Sequence, residues 1–173
     1  MNIIDLKKIG WLKIVVFVLL LSFYATFLVA KSKIPAADDL PRYLMNGQEI
    51  LAGNFDLLYS NVYSYVDANH PFVNHHWFIG VIFYILFLIG GWSGLTLLKT
   101  LIYLLTFSVT FYVATRKADF WLVALLSIPT IVLLSERTGI RPEMFSYLCI
   151  ALFVYLLIDF ERNPNRTRVF LLV

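Results

Sequence analysis

Long uncharged apolar runs alternate with short polar stretches along the 173 residues. Residues 14–30 form an uncharged run of 17, preceded by Lys7, Lys8 and Lys13. This run exceeds the ~7–15-residue core of a cleaved secretion signal, and no small-residue cleavage site follows, so the pattern predicts a retained transmembrane helix over 11–30. Residues 77–89 are apolar at 13 successive positions and stop at Gly90-Gly91-Trp92-Ser93-Gly94. As a helix they reach only ~20 Å, short of the ~30 Å hydrocarbon core, which predicts an interfacial helix rather than a span. Further transmembrane helices are predicted over 95–115, 120–135 and 144–160. Lys99, near the start of the first of these, is expected to snorkel to the surface. Pro129 is expected to kink the second. The expected fold is all-α, a single polytopic membrane domain, with residues 31–94 as an extracytoplasmic loop that carries the 77–89 helix.

Composition agrees with the pattern. The chain is 60% hydrophobic and 14% charged, whereas soluble domains carry about 25% charged residues. The net charge of +3 is accounted for by cytoplasmic loop charges, and no nucleic-acid partner is expected. The single cysteine, Cys149, lies in an apolar run and reads as a packing residue. With 77–89 in the interface, eight Lys and Arg residues fall inside and six outside; with 77–89 spanning, the numbers reverse. The positive-inside rule favours the first arrangement, with the N-terminus cytoplasmic. The stretch 136–143 then falls on the same side as the 31–94 loop. The sequon Asn165-Arg166-Thr167 falls on the cytoplasmic side and reads as chance.

The 31–94 loop concentrates the chemistry. It holds five of the eleven acidic residues and all three histidines. Its opening is Asp38-Asp39-Leu40-Pro41-Arg42-Tyr43. Adjacent carboxylates just past a membrane span can act as a general base, or can cap a helix whose first turn contains Pro41. Arg42, Arg137 and Arg141 can grip phosphate with a bidentate fork, or pair with Asp56, Asp67 or Glu143. His75 and His76 can meet phosphate or form interfacial hydrogen bonds. Adjacent histidines in an extended strand point oppositely, which argues against a shared metal. The sequence requires no cofactor and offers no zinc-ligand spacing or phosphate-binding glycine loop; a divalent metal is admitted but not supported.

The order Asp39-x-x-Arg42-Tyr43, Asn46-Gly47, Ile50-Leu51, Gly53, Tyr63-Ser64-Tyr65, Asn74-His75-His76-Trp77-Phe78 and Gly90-Gly91-Trp92-Ser93-Gly94-Leu95 carries a family resemblance. Together with Arg141-Pro142-Glu143-Met144-Phe145-Ser146-Tyr147-Leu148, it resembles the GT-C superfamily of polytopic glycosyltransferases. These include protein O-mannosyltransferases and lipid A aminoarabinose transferases, and the similarity lies closest to poorly characterised bacterial members. The resemblance implies inverting transfer of a sugar from a polyprenyl-phosphate donor to an extracytoplasmic lipid, glycan or protein acceptor, at a bacterial plasma membrane. It implies that Asp39, in register with Arg42 and Tyr43, is the catalytic aspartate, with Asp38 the second candidate. It also implies two short loop helices lying along the membrane. The family's later acidic partner is matched only loosely, by Glu136 or Glu143.

The rival class is a non-enzymatic membrane protein: a scaffold, a flippase or a transporter subunit. A transporter needs polar groups at mid-membrane, and no charged residue lies in the middle of a predicted span, apart from Lys99 near one end. Residues 170–173 open what reads as another apolar segment, so the chain is expected to be the front part of a longer protein and inactive alone. Cysteine labelling tests the topology. A membrane-impermeant reagent added from outside should label a cysteine placed at Ser135 and not one at Arg116; the reverse pattern would make 77–89 a span.

Overall fold

The computed structural model describes residues 3–30, 39–64, 66, 70–136 and 139–162. Asp38, Tyr65, Asp67, Arg137, the Asn165 sequon and residues 170–173 lie outside them. Among the described residues the fold is all-helical: α1 (Ile3–Ala30), α2 (Leu40–Leu51), a 3-10 turn (Asp56–Leu58), α3 (Trp77–Thr115), α4 (Phe120–Leu134) and α5 (Glu143–Arg162). Gly10–Ala30, Trp77–Thr115 and Glu143–Glu161 are long and apolar enough to cross a bilayer. By the length and composition of these helices, the chain is an integral membrane protein. Helices suit that solvent because each satisfies its backbone hydrogen bonds within itself. α4 covers the apolar segment expected over 120–135 with 15 residues; at about 22 Å it is shorter than these three helices.

The chain divides into two compact units. The helical unit comprises Met1–Ser32, Lys99–Thr138 and Glu143–Val173. In it α1 packs on α4, and Phe17 meets Phe111 with ring centroids 4.9 Å apart. Asp119 starts α4 by accepting from the backbone N–H of Trp121 at 2.9 Å and Leu122 at 3.4 Å, which satisfies donors that the first turn cannot pair. The turn before it is tied to the end of α5 by Arg116–Asp159, 3.3 Å and largely buried, and by Lys117–Glu161, 3.2 Å and exposed. Lys99 differs from expectation. Its side chain is 1% exposed and does not reach the surface. The unit also contains a cavity of about 740 Å³ lined by α1, α3, α4 and α5.

The loop unit comprises Lys33–Leu98 and Gly139–Pro142. α2 is amphipathic and buries Leu40, Tyr43, Leu44, Asn46, Gly47 and Ile50. It crosses the first part of α3 at Gly47 and Gly80. A Cβ on Gly47 would collide with the Gly80 carbonyl and lie 2.7 Å from the Tyr84 Cβ. A Cβ on Gly80 would lie 2.7 Å from the Tyr43 carbonyl oxygen. The backbones touch, as small residues permit where helices cross. Between α2 and α3 the chain folds back through an antiparallel bridge, Ser60 to Pro71, and through Phe72 N–H to Tyr59 O at 3.1 Å and Asn74 N–H to Leu58 O at 3.0 Å.

α3 breaks at Gly91, whose φ of 56° and ψ of −146° are non-helical. A Cβ on Gly94 would lie 2.9 Å from the carbonyl oxygen of Leu86. Eight residues along a straight helix advance about 12 Å, so this approach requires a sharp bend. Phe87 and Trp92 close the corner, with ring centroids 4.9 Å apart. The arm before the break, 77–90, reaches about 21 Å and the arm after it, 92–115, about 36 Å, so only the second has spanning length.

Gly47→Ala should lower stability by about 1–3 kcal/mol, the usual cost of overpacking. Thermal unfolding in detergent should show a reduced Tm. Gly90→Ala, which meets nothing within 4 Å, should leave the Tm near that of the parent protein.

Candidate functional site

α2 positions the first group of site residues. Asp39 occupies its N-cap, but with φ −71° and ψ −9°. A capping side chain needs extended backbone to reach the N–H groups of the first turn. Asp39 accordingly makes no side-chain cap bond. Its carboxylate sits 3.1 Å from Arg42 Nη2, one helical turn on, with both side chains about half exposed. Among the described residues, Arg42 therefore pairs with Asp39. Its guanidinium carbon also lies 5.5 Å from the centroid of the Tyr43 ring.

Tyr43 is 5% exposed and meets His76 edge-on, with ring centroids 5.9 Å apart. It also meets Phe83 at 6.2 Å. His75 and His76 lie in a turn just before α3, not in an extended strand. The turn brings their rings to 4.0 Å, tilted by 53°, where an extended strand would have parted them. Carboxylate, guanidinium, phenol and two imidazoles thus form one continuous row across α2 and the start of α3. Among the described residues, no three His, Cys, Asp or Glu side chains are placed to hold a metal ion.

Arg141 belongs to the same compact unit as this row, because Gly139–Pro142 is part of it. Ile140 and Pro142 are buried there and Arg141 is exposed. Glu143 begins α5 and belongs to the helical unit. Asp38 and Arg137 lie outside the described residues.

Three residues that the sequence did not single out individually support the row. Asn46 is 3% exposed and accepts from the Tyr63 hydroxyl at 2.7 Å. This bond fastens the returning loop to α2. Burial pushes the Tyr63 phenol above its ordinary range, Glu49 adds to the rise and Arg42 opposes it. Tyr63 therefore stays protonated and able to donate at neutral pH. Glu49 in turn accepts from Asn54 Nδ2 at 3.1 Å. The available signal was periodicity: Tyr43, Asn46 and Ile50 recur at helical spacing, which sets Asn46 on the packed face. Lys99 is a fourth departure, a cation buried on a helix of spanning length.

No family model, curated protein or solved structure matches the chain.

Tyr63→Phe should deprive the buried Asn46 oxygen of its donor, at a cost of about 1–3 kcal/mol. Hydrogen exchange read by mass spectrometry should then show faster exchange across residues 59–64, with α5 unchanged.

Proposed function

We propose that this chain is part of a membrane glycosyltransferase of the GT-C kind, which moves a sugar from a polyprenyl-phosphate donor to an extracytoplasmic acceptor. The observation that carries the reading is the exposed Asp39–Arg42 pair at the head of α2, continuous with Tyr43, His76 and His75. In this reading the acceptor hydroxyl attacks the anomeric carbon while Asp39 takes its proton. The bond from that carbon to the phosphate oxygen breaks, and the electron pair leaves with the polyprenyl phosphate. Arg42 spends one side of its fork on Asp39 and has further N–H groups to balance the departing phosphate. His75, His76 and Arg141 are further phosphate contacts, and Tyr43 holds His76 in place. Asp38, Arg137 and Glu143 remain candidates for contacts with donor or acceptor. No step requires a metal. The setting is a bacterial plasma membrane, with the N-terminus cytoplasmic and the loop unit outside.

A second reading has one observation behind it. Lys99 is buried on a helix of spanning length, and charges so placed commonly serve transport or scaffolding rather than surface chemistry. A non-enzymatic carrier or flippase subunit would depend on Lys99 and not on Asp39.

Asp39→Asn separates the two readings. The exposed ion pair contributes only about 0–1 kcal/mol, so the variant should insert and fold normally. The amide cannot accept the proton, and a general base contributes ~10²–10⁴-fold. Transfer from a radiolabelled polyprenyl-phosphate sugar should fall by that factor at matched expression of the full-length protein, and Asp38→Asn should lose less. Near-normal turnover in both variants would remove this loop as the active site.

A further inference from the structure

Arg42, Asn46 and Glu49 recur at helical spacing, so they share one side of α2. Asp39 joins that side through its ion pair with Arg42 at 3.1 Å. Arg42 and Glu49 are separated by seven positions, which is about 10.5 Å along the helix. Asn46 lies between them and accepts from the Tyr63 hydroxyl at 2.7 Å. Both charges act on that hydroxyl: Glu49 raises the phenol and Arg42 opposes the rise. Tyr63 is thus seated between a guanidinium and a carboxylate.

The Tyr63 side chain is pinned and open at once. Its oxygen is tied to an amide that is 3% exposed, yet the residue itself is 42% exposed. With the oxygen tied down, the open surface is chiefly ring carbon. Glu49 is held as well, because its Oε2 accepts from Asn54 Nδ2 at 3.1 Å. A carboxylate has about four lone-pair sites, so Glu49 can accept further hydrogen bonds. Arg42 carries five N–H donors, and its contact with Asp39 leaves several for a ligand. The outcome is a fixed aromatic face with donors at one edge and acceptors at both.

We propose that Tyr63, Arg42 and Glu49 form a subsite for one uncharged pyranose ring, stacked on the Tyr63 face with its hydroxyls shared between the Asp39–Arg42 pair and Glu49. A pyranose carries C–H groups on its faces and hydroxyls around its rim. The C–H groups meet the negative face of the aromatic ring. The hydroxyls donate to the two carboxylates and accept from Arg42. A pyranose about 5 Å across, with a hydrogen bond of about 2.8 Å at each end, spans about 10.5 Å, which is the interval from Arg42 to Glu49. Beside the ring, Glu49 repels a sugar acid and Arg42 repels a cationic amino sugar. The single hydroxyl of a serine, a threonine or a lipid alcohol cannot reach both ends. The inference rests on the transferase reading for its role and narrows it. The acceptor is then a glycan, and its hydroxyl nearest Asp39 receives the new glycosidic bond.

The test is saturation-transfer NMR on the full-length protein in nanodiscs, which reads binding without transfer. The probes are the methyl glycosides of glucose, galactose, mannose and N-acetylglucosamine, with a short peptide containing serine and threonine as the contrasting arm. At least one glycoside should receive saturation on its ring C–H protons, and the peptide should not. Glu49→Gln removes the charge-assisted hydrogen bonds at one edge and should raise the Kd of that glycoside at least about tenfold. Its Tm should match that of the parent protein, which excludes misfolding as the cause. Tyr63→Leu removes the stacking face and should abolish the signal. Asp39→Asn should retain glycoside binding. Saturation of none of the four glycosides would overturn the proposal, and so would a Kd unchanged in Glu49→Gln. A peptide signal that Glu49→Gln abolishes would overturn the assignment to a sugar. Glycoside binding lost in Glu49→Gln, together with normal transfer by Asp39→Asn, would leave the subsite standing and remove only the transferase reading.

Discussion

The loop unit depends on one contact without side chains, the crossing of α2 over the first arm of α3 at Gly47 and Gly80. Only hydrogens separate these two backbones, and any Cβ there would collide with a carbonyl. That closeness lets the ring of Tyr43, one turn before Gly47, reach His76, one turn before Gly80. A crossing at the usual 8–10 Å between helix axes would part the two rings and break the row that runs from Asp39 to His75. The Asn46–Tyr63 bond then holds the returning loop against the same helix. The polar site thus rests on a steric constraint set by glycines, with one hydrogen bond as its fastening.

The helical unit is organised differently. Its interior is aromatic and aliphatic, and its hydroxyls are turned back onto their own helices. Two ionic ties lie at one end, where Arg116 and Lys117 meet Asp159 and Glu161. Polar pairing at a helix end is compatible with contact to water or headgroups, whereas pairing at mid-span would carry the cost of desolvating both charges. Lys99 stands apart from this scheme.

Much of the fold was legible because apolar runs bounded by charges have few alternatives in a bilayer. The break near residues 90–94 could be read from three glycines around a tryptophan, since such a cluster interrupts a helix. The helix expected over 120–135 was legible at both ends, because Asp119 caps its first turn and Ser135 closes its last. The snorkelling expected of Lys99 assumed a helix facing lipid, and sequence does not show which face packs. Within the site, the spacing from Asp39 to Arg42 was visible as one helical turn, and the ion pair follows from it. The stacking of His75 on His76 was not visible, because it rests on a turn that a strand-like reading hid. The Asn46–Tyr63 bond joins residues 17 positions apart, beyond the reach of local pattern.

Gly91 sets the length of helix that the apolar sequence can present to a bilayer. Its φ of 56° is a conformation that residues with a Cβ adopt reluctantly. With a straight backbone there, the 39 residues of α3 would form a rod about 58 Å long, nearly twice the hydrocarbon thickness. The break instead divides one apolar sequence into an arm of about 21 Å and an arm of about 36 Å. A single backbone angle thereby decides that only one of the two has the length of a membrane span.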